Sequence, residues 1–185
     1  MKKLLLIGDS IRMGYEAEVK KNLENEFEVW APPENCRFAK YTLCHLKGWL
    51  NAYGETPDVI HWNNGFWDTC IRYEEDGNFT KIEEYERDML SILRELKKMT
   101  DKVIFATTTP VNPKHHDQKN ETVDFYNKVI VEKLKKENVF INDLNTFVKP
   151  HIDEYICEDL LHLSEKGQKA CGKAVSDFVL SVCGK

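Results

Sequence analysis

Lys2-Lys3-Leu4-Leu5-Leu6-Ile7-Gly8-Asp9-Ser10 passes from two lysines into a short apolar run and stops on glycine, aspartate and serine. A run of Leu and Ile this brief, closed by turn residues, reads as a strand buried on both faces of a parallel sheet. The residues after it, Ile11 to Glu24, intersperse charges among aromatic and aliphatic side chains at helical spacing. Ser10 therefore falls at a strand-to-helix junction.

The same alternation runs through the chain. Strands are predicted at Lys2 to Ile7, Glu26 to Trp30, Asp58 to Trp62, Lys102 to Thr107 and Asn138 to Ile141. Helices are predicted at Ile11 to Glu24, Ala39 to Asn51, Ile82 to Lys98, Val123 to Glu137 and Glu165 to Val182, the last started by Ser164. Short apolar strands separated by amphipathic helices specify an α/β protein, a five-stranded parallel sheet with helices on both faces. Thr69 to Asn78 and Pro110 to Asn120 read as irregular loops after the third and fourth strands. Loops in that position lie at the carboxyl edge of such a sheet, where ligands bind.

With 185 residues, 42% of them hydrophobic, the chain is read as one domain, residues 1–185. The net charge of -5 is spread over interleaved acidic and basic residues without a basic block, which argues against a nucleic-acid partner. The N-terminus imitates a signal peptide, but its apolar run ends at Gly8, too early for an export signal. No stretch is apolar for long enough to span a bilayer. Cys36, Cys44, Cys70, Cys157, Cys171 and Cys183 show no CxxC spacing, so reduced thiols in a cytoplasmic protein without metal or other cofactor are expected.

Gly8-Asp9-Ser10 is ordinary turn chemistry taken alone, but its position before a helix gives Ser10 free amides and the positive end of a helix dipole, suited to an oxyanion. Asp159-Leu160-Leu161-His162 stands ahead of the last helix, and its spacing lets the carboxylate reach the imidazole on a turn. Together they have the order Ser, Asp, His, on loops at one edge of the sheet.

On those two segments the sequence resembles the SGNH or GDSL hydrolase family, over nearly the whole chain. Its first block is carried by Gly8-Asp9-Ser10 and its last by Asp159-Leu160-Leu161-His162-Leu163. Asp58-Val59-Ile60-His61-Trp62-Asn63-Asn64-Gly65-Phe66-Trp67-Asp68 looks like the third block, and Thr107-Thr108-Thr109-Pro110-Val111 like the segment after the fourth strand. The resemblance implies a flavodoxin-like three-layer α/β/α fold and metal-independent hydrolysis of small acyl esters through an acyl-enzyme on Ser10, with His162 as base and Asp159 as its partner.

Two departures bear on the oxyanion. Where the family places a donor asparagine two residues after the third-block glycine, this chain has Trp67, so either Asn63 or Asn64 substitutes or the donor is lost. Where the family has a glycine after the second strand, Glu34-Asn35-Cys36-Arg37 stands instead, and Cys36 is its expected counterpart, donating its backbone amide beside that of Ser10. Asp9, Arg37 and Trp67 are the candidate substrate contacts. Trp62, Phe66 and Trp67 are read as a wall for a sugar ring or short acyl chain, with core packing the equal alternative for Trp62, which ends a buried strand. His45, His61, His115, His116 and His151 are read as structural or solvated.

A small-molecule ester, with acetyl groups on sugars as first choice, is the expected partner; nothing in the sequence indicates an oligomeric state. The competing readings are a flavodoxin-like ligand-binding module and a relative that has lost catalysis. Neither Walker nor GxGxxG pattern is present to support the first.

Overall fold

The computed structural model describes residues 1–184. β1 (Lys2–Ile7), β2 (Phe27–Trp30), β3 (Val59–Trp62), β4 (Val103–Ala106) and β5 (Phe140–Asn142) form one sheet in the order β2-β1-β3-β4-β5, every pairing parallel. The five strands and the helices on both faces agree with the sequence reading.

Alternation along β1 divides the interior. Leu4 and Leu6 point to one face and join Ile11, Tyr15 and Val19 of α1 (Ser10–Asn22) and Cys171, Val175 and Val179 of α8 (Glu165–Val182). Leu5 and Ile7 point to the other, joining Ala39, Leu46 and Trp49 of α2 (Ala39–Tyr53), Tyr85, Met89 and Ile92 of α4 (Ile82–Leu96) and Ile130 and Leu134 of α5 (Asn120–Lys136). A strand covered on both sides has no polar face to show, which is why its sequence reads as a continuous apolar run.

The chain leaves β1 for β2 on one side and then crosses to β3 on the other. The loops after β1 and β3 therefore diverge at the carboxyl edge and leave a crevice there. The last strand begins later than its sequence suggests, at Phe140. Asn138 takes a left-handed conformation at φ 57, and Val139 donates back to the Leu134 carbonyl at 3.1 Å, closing α5 before the strand starts. Three short helices carry too few residues for a periodic signal: α3 (Phe66–Thr69), α6 (Leu144–Val148) and α7 (Ile152–Tyr155). No helix among the described residues is long and apolar enough to cross a membrane.

Helices α1 and α8 meet at Gly172, where an added Cβ would lie 2.5 Å from Cβ of Glu18 and 3.3 Å from the Tyr15 carbonyl oxygen. In an exposed helix Gly→Ala stabilises by about 1 kcal/mol. Here the sign reverses, because neither atom is the free end of a flexible chain. Gly172→Ala is expected to lose about 1–3 kcal/mol, a fall of several degrees in a thermal melt. A higher Tm would show that the two helices are not in contact at this point.

Candidate active site

Asp9 caps α1, its Oδ1 accepting from the Ile11 amide and from Nδ2 of Asn63, each at 3.0 Å. That cap turns the chain out of β1 and sets Ser10 in the first turn of the helix. Asp9 itself is fully buried, and burial raises its carboxyl despite the opposing hydrogen bonds of Asn63 and Ile11. It supports the turn beneath the serine and has no surface to offer a substrate, contrary to the expectation from sequence.

The other half of the site is a tight loop closed by the bridge between Ile156 and Leu163, with the Cys157 amide donating to the His162 carbonyl at 2.8 Å. Leu160 takes φ 69 inside it, and its carbonyl accepts from the Asn112 amide at 2.9 Å. Ser164 then caps α8, accepting from the Gly167 amide at 3.1 Å. Within the loop, Asp159 Oδ1 accepts from the amides of Leu161 at 2.9 Å and His162 at 2.8 Å and from the Cys157 thiol at 3.1 Å. Partial burial alone would raise this carboxyl. The Leu161 and His162 amides, the Cys157 thiol and the His162 ring outweigh it and hold Asp159 well below the usual carboxylate range.

Asp159 Oδ2 lies 2.6 Å from His162 Nδ1, and His162 Nε2 lies 2.9 Å from Ser10 Oγ. An ionised carboxylate only accepts, so Nδ1 carries the ring proton and Nε2 presents a lone pair to the serine hydroxyl. The two segments, 152 residues apart for Ser10 and His162, meet in the order anticipated from sequence. The His162 and Asp159 side chains remain about half exposed, so the chain of hydrogen bonds opens to solvent.

Ser10 and His162 line a cavity of about 340 Å³ together with Asn35, Phe66, Trp67, Cys70, Arg72, His115, Asp117, Gln118 and Leu161. Trp67 is on this lining, with the Arg72 guanidinium 5.7 Å from its ring centroid. Arg37 is not: it lies exposed at φ 52 with its guanidinium 4.7 Å from the Tyr41 ring. Trp62 is core, donating to Asn64 Oδ1 at 2.7 Å.

The expected oxyanion donors are engaged elsewhere. The Cys36 amide donates to the Gly8 carbonyl at 3.1 Å, and its buried thiol is pushed up to about 11. Asn64 is fully buried, with Nδ2 donating to the Arg37 carbonyl at 2.8 Å and Thr42 Oγ1 at 2.9 Å, so both its hydrogens are engaged. Asn63 lies beneath Gly8, bonded to Asp9 and outside the cavity lining. Two adjacent asparagines at a strand end thus serve the architecture of the crevice floor.

Asn35, Arg72, His115, Asp117 and Gln118 were not singled out as site residues by sequence reasoning, because each sits on an irregular loop whose path no periodicity predicts. His61 is buried and its imidazole is lowered to about 3 by that burial, while His45 stacks on Tyr41 and Trp49. All six cysteines are unpaired, and among the described residues no three His, Cys, Asp or Glu side chains converge as a metal-holding group.

No family model matches the chain, and no curated protein does. Solved structures do. A lipase/acylhydrolase from Enterococcus faecalis superposes with a TM-score of 0.84 at 21% identity, covering 98% of this chain and 96% of that one. The chain shares the fold of this hydrolase. An acetyl xylan esterase follows at 0.80 and 17% identity, covering 96% and 99%. Axe2, an acetylxylan esterase from Geobacillus stearothermophilus, gives 0.75 at 20%, covering 100% and 94%.

Within this fold, the wall bearing Trp67 is anchored by its neighbour Asp68, whose buried carboxylate accepts from the Ala39 amide at 3.1 and 3.2 Å and so caps α2, where Phe38 provides no side-chain cap. Burial pushes this carboxyl up to about 7 against the lowering hydrogen bonds of Thr80 and Ala39. The unfolded chain releases this proton near 4, so the folded state holds more protons in between. Stability contributed here falls as pH rises from about 4 to about 7. Measured by urea unfolding at both ends of that window, wild type is expected to lose about 2–4 kcal/mol relative to Asp68→Asn. A constant difference between the two would mean that Asp68 ionises normally.

Proposed function

We propose that this protein is a metal-independent serine esterase that cleaves small acyl esters through an acyl-enzyme on Ser10. The observation that carries this is the unbroken Asp159–His162–Ser10 chain opening on a cavity. Two bonds of this length, one to a carboxylate held ionised, are what an alcohol nucleophile needs to lose its proton at neutral pH.

In the reaction Ser10 Oγ attacks the ester carbonyl as its proton passes to His162 Nε2, and the imidazolium is stabilised by Asp159. The tetrahedral oxyanion develops at the N-terminus of α1, where the helix dipole favours negative charge. Collapse expels the alcohol, which takes the proton from His162. Water, deprotonated by the same imidazole, then releases the acid and restores Ser10.

Acetyl groups on carbohydrate are the substrates the cavity suits best. Trp67, only partly buried, offers flat apolar surface for a sugar face, and Arg72, Asp117 and His115 offer donors and acceptors for its hydroxyls. Two of the fold's neighbours are named as acetylxylan esterases, which supports the same choice. The volume of about 340 Å³ fits a short acyl chain with one sugar ring better than a long lipid.

A fluorophosphonate probe is expected to label Ser10, located by peptide mass spectrometry, and His162→Ala to abolish the labelling. Asp159→Asn should lower kcat for 4-nitrophenyl acetate by about 10³–10⁴ with folding intact, since the wrong tautomer then faces the serine. Acetate should be released from acetylated xylo-oligosaccharides at a rate that chelator does not change. A folded protein that neither labels nor turns over any of these esters would sink the proposal.

A further inference from the structure

The oxyanion is incompletely provided for by the groups described so far. The amides of Cys36 and Arg37 are both engaged, the first with the Gly8 carbonyl and the second with Asn35 Oδ1 at 2.8 Å. Asn63 and Asn64 are turned into the crevice floor. Gln118 bridges the loop to α3, its oxygen accepting from Thr69 and its nitrogen donating to the Phe66 carbonyl.

Asn35 is the remaining amide on the cavity lining. A backbone N–H can only donate, so the bond from Arg37 fixes which end of the Asn35 amide is oxygen. The NH₂ end, with two hydrogens, finds no acceptor among the described residues. It belongs to a side chain that lines the same cavity as Ser10 and His162.

The backbone on either side of Asn35 is tied to the peptide two residues before the nucleophile. Preceding it, the Glu34 carbonyl accepts from Arg12 Nη2 at 2.7 Å, and the same guanidinium reaches the Gly8 carbonyl at 3.4 Å. Following it, the Cys36 amide donates to that Gly8 carbonyl. Arg12 is fully buried, so the clamp is shielded from water. The position of Asn35 relative to Ser10 is thereby set before any substrate arrives, which is the condition under which a donor stabilises a developing charge at no reorganisation cost.

We propose that Asn35 supplies the side-chain donor to the oxyanion, in the role vacated where Trp67 stands. The inference rests on the esterase reading. As the Ser10 Oγ–carbon bond forms, the carbonyl π pair moves onto oxygen, and the Asn35 NH₂ and the Ser10 amide receive that charge while the serine proton goes to His162 Nε2. On collapse the pair returns, the bond to the alcohol breaks, and the alcohol oxygen takes the proton from His162.

Asn35→Asp is the informative variant, because a carboxylate still accepts from the Arg37 amide and keeps the turn while removing the donor. With Asn35→Ala beside it, 4-nitrophenyl acetate hydrolysis is expected to lose about 10²–10³ in kcat in both, with KM within about threefold of wild type. Circular dichroism and the melting temperature of the Asp variant should match wild type. Either variant, folded and retaining kcat within about threefold, overturns the assignment, as does a loss confined to KM. Ser10→Ala distinguishes the two levels of failure. If it abolishes turnover while the Asn35 variants stay fast, only this inference fails. If wild type has no Ser10-dependent turnover, the esterase reading fails and takes the inference with it.

Discussion

The carbonyl of Gly8 is the point on which three separate segments converge. It accepts the Cys36 amide at 3.1 Å and lies 3.4 Å from both Nε and Nη2 of Arg12, drawing the loop after β2 against the end of β1. On its other side an added Cβ would fall 1.9 Å from Asn63 Oδ1, so only glycine lets the end of β3 approach this closely. Ser10 is two residues further on. The surroundings of Ser10 are therefore specified by packing around a residue that has no side chain.

Burying Arg12 beneath this junction requires compensation, since an unpaired guanidinium in the interior is costly. Glu16 pairs with it one helical turn away, and the carbonyls of Gly8 and Glu34 take further hydrogens. A charge held this way is weak evidence for added stability, but it gives the loop one register. The same economy appears at Asp68, a buried carboxyl that starts α2 from a neighbouring element. Polar groups in this protein are buried where they connect the loops of the carboxyl edge to one another.

The hydrogen-bond chain at the site follows a different physical rule. Asp159 is kept ionised by amides of its own turn, independently of burial, and that ionisation dictates the tautomer of His162. Because the loop between Ile156 and Leu163 is short and closed, orientation of the imidazole is a local property. Its distance from Ser10 is not. That depends on α1 and α8 packing side by side, where Gly172 removes the side chain that would separate them.

Sequence alone determined what short-range physics controls: the five strands, because a strand buried on both faces must be apolar throughout, and the main helices, because their spacing repeats every turn. Strand direction in a parallel sheet also puts Ser10, which directly follows β1, at the carboxyl edge, whereas Asp159 and His162 follow a helix and reach Ser10 only through the packing of α8 on α1. Tertiary structure decided the remaining partners. Asn63 and Asn64 stand beside the site in sequence yet turn into the crevice floor, and Cys36 gives its amide to Gly8. Asn35, Arg72 and His115 reach the cavity from irregular loops. A hydrogen bond is decided by a few tenths of an ångström and by which competing acceptor is nearer. Periodicity cannot carry that information, and only the assembled loops contain it.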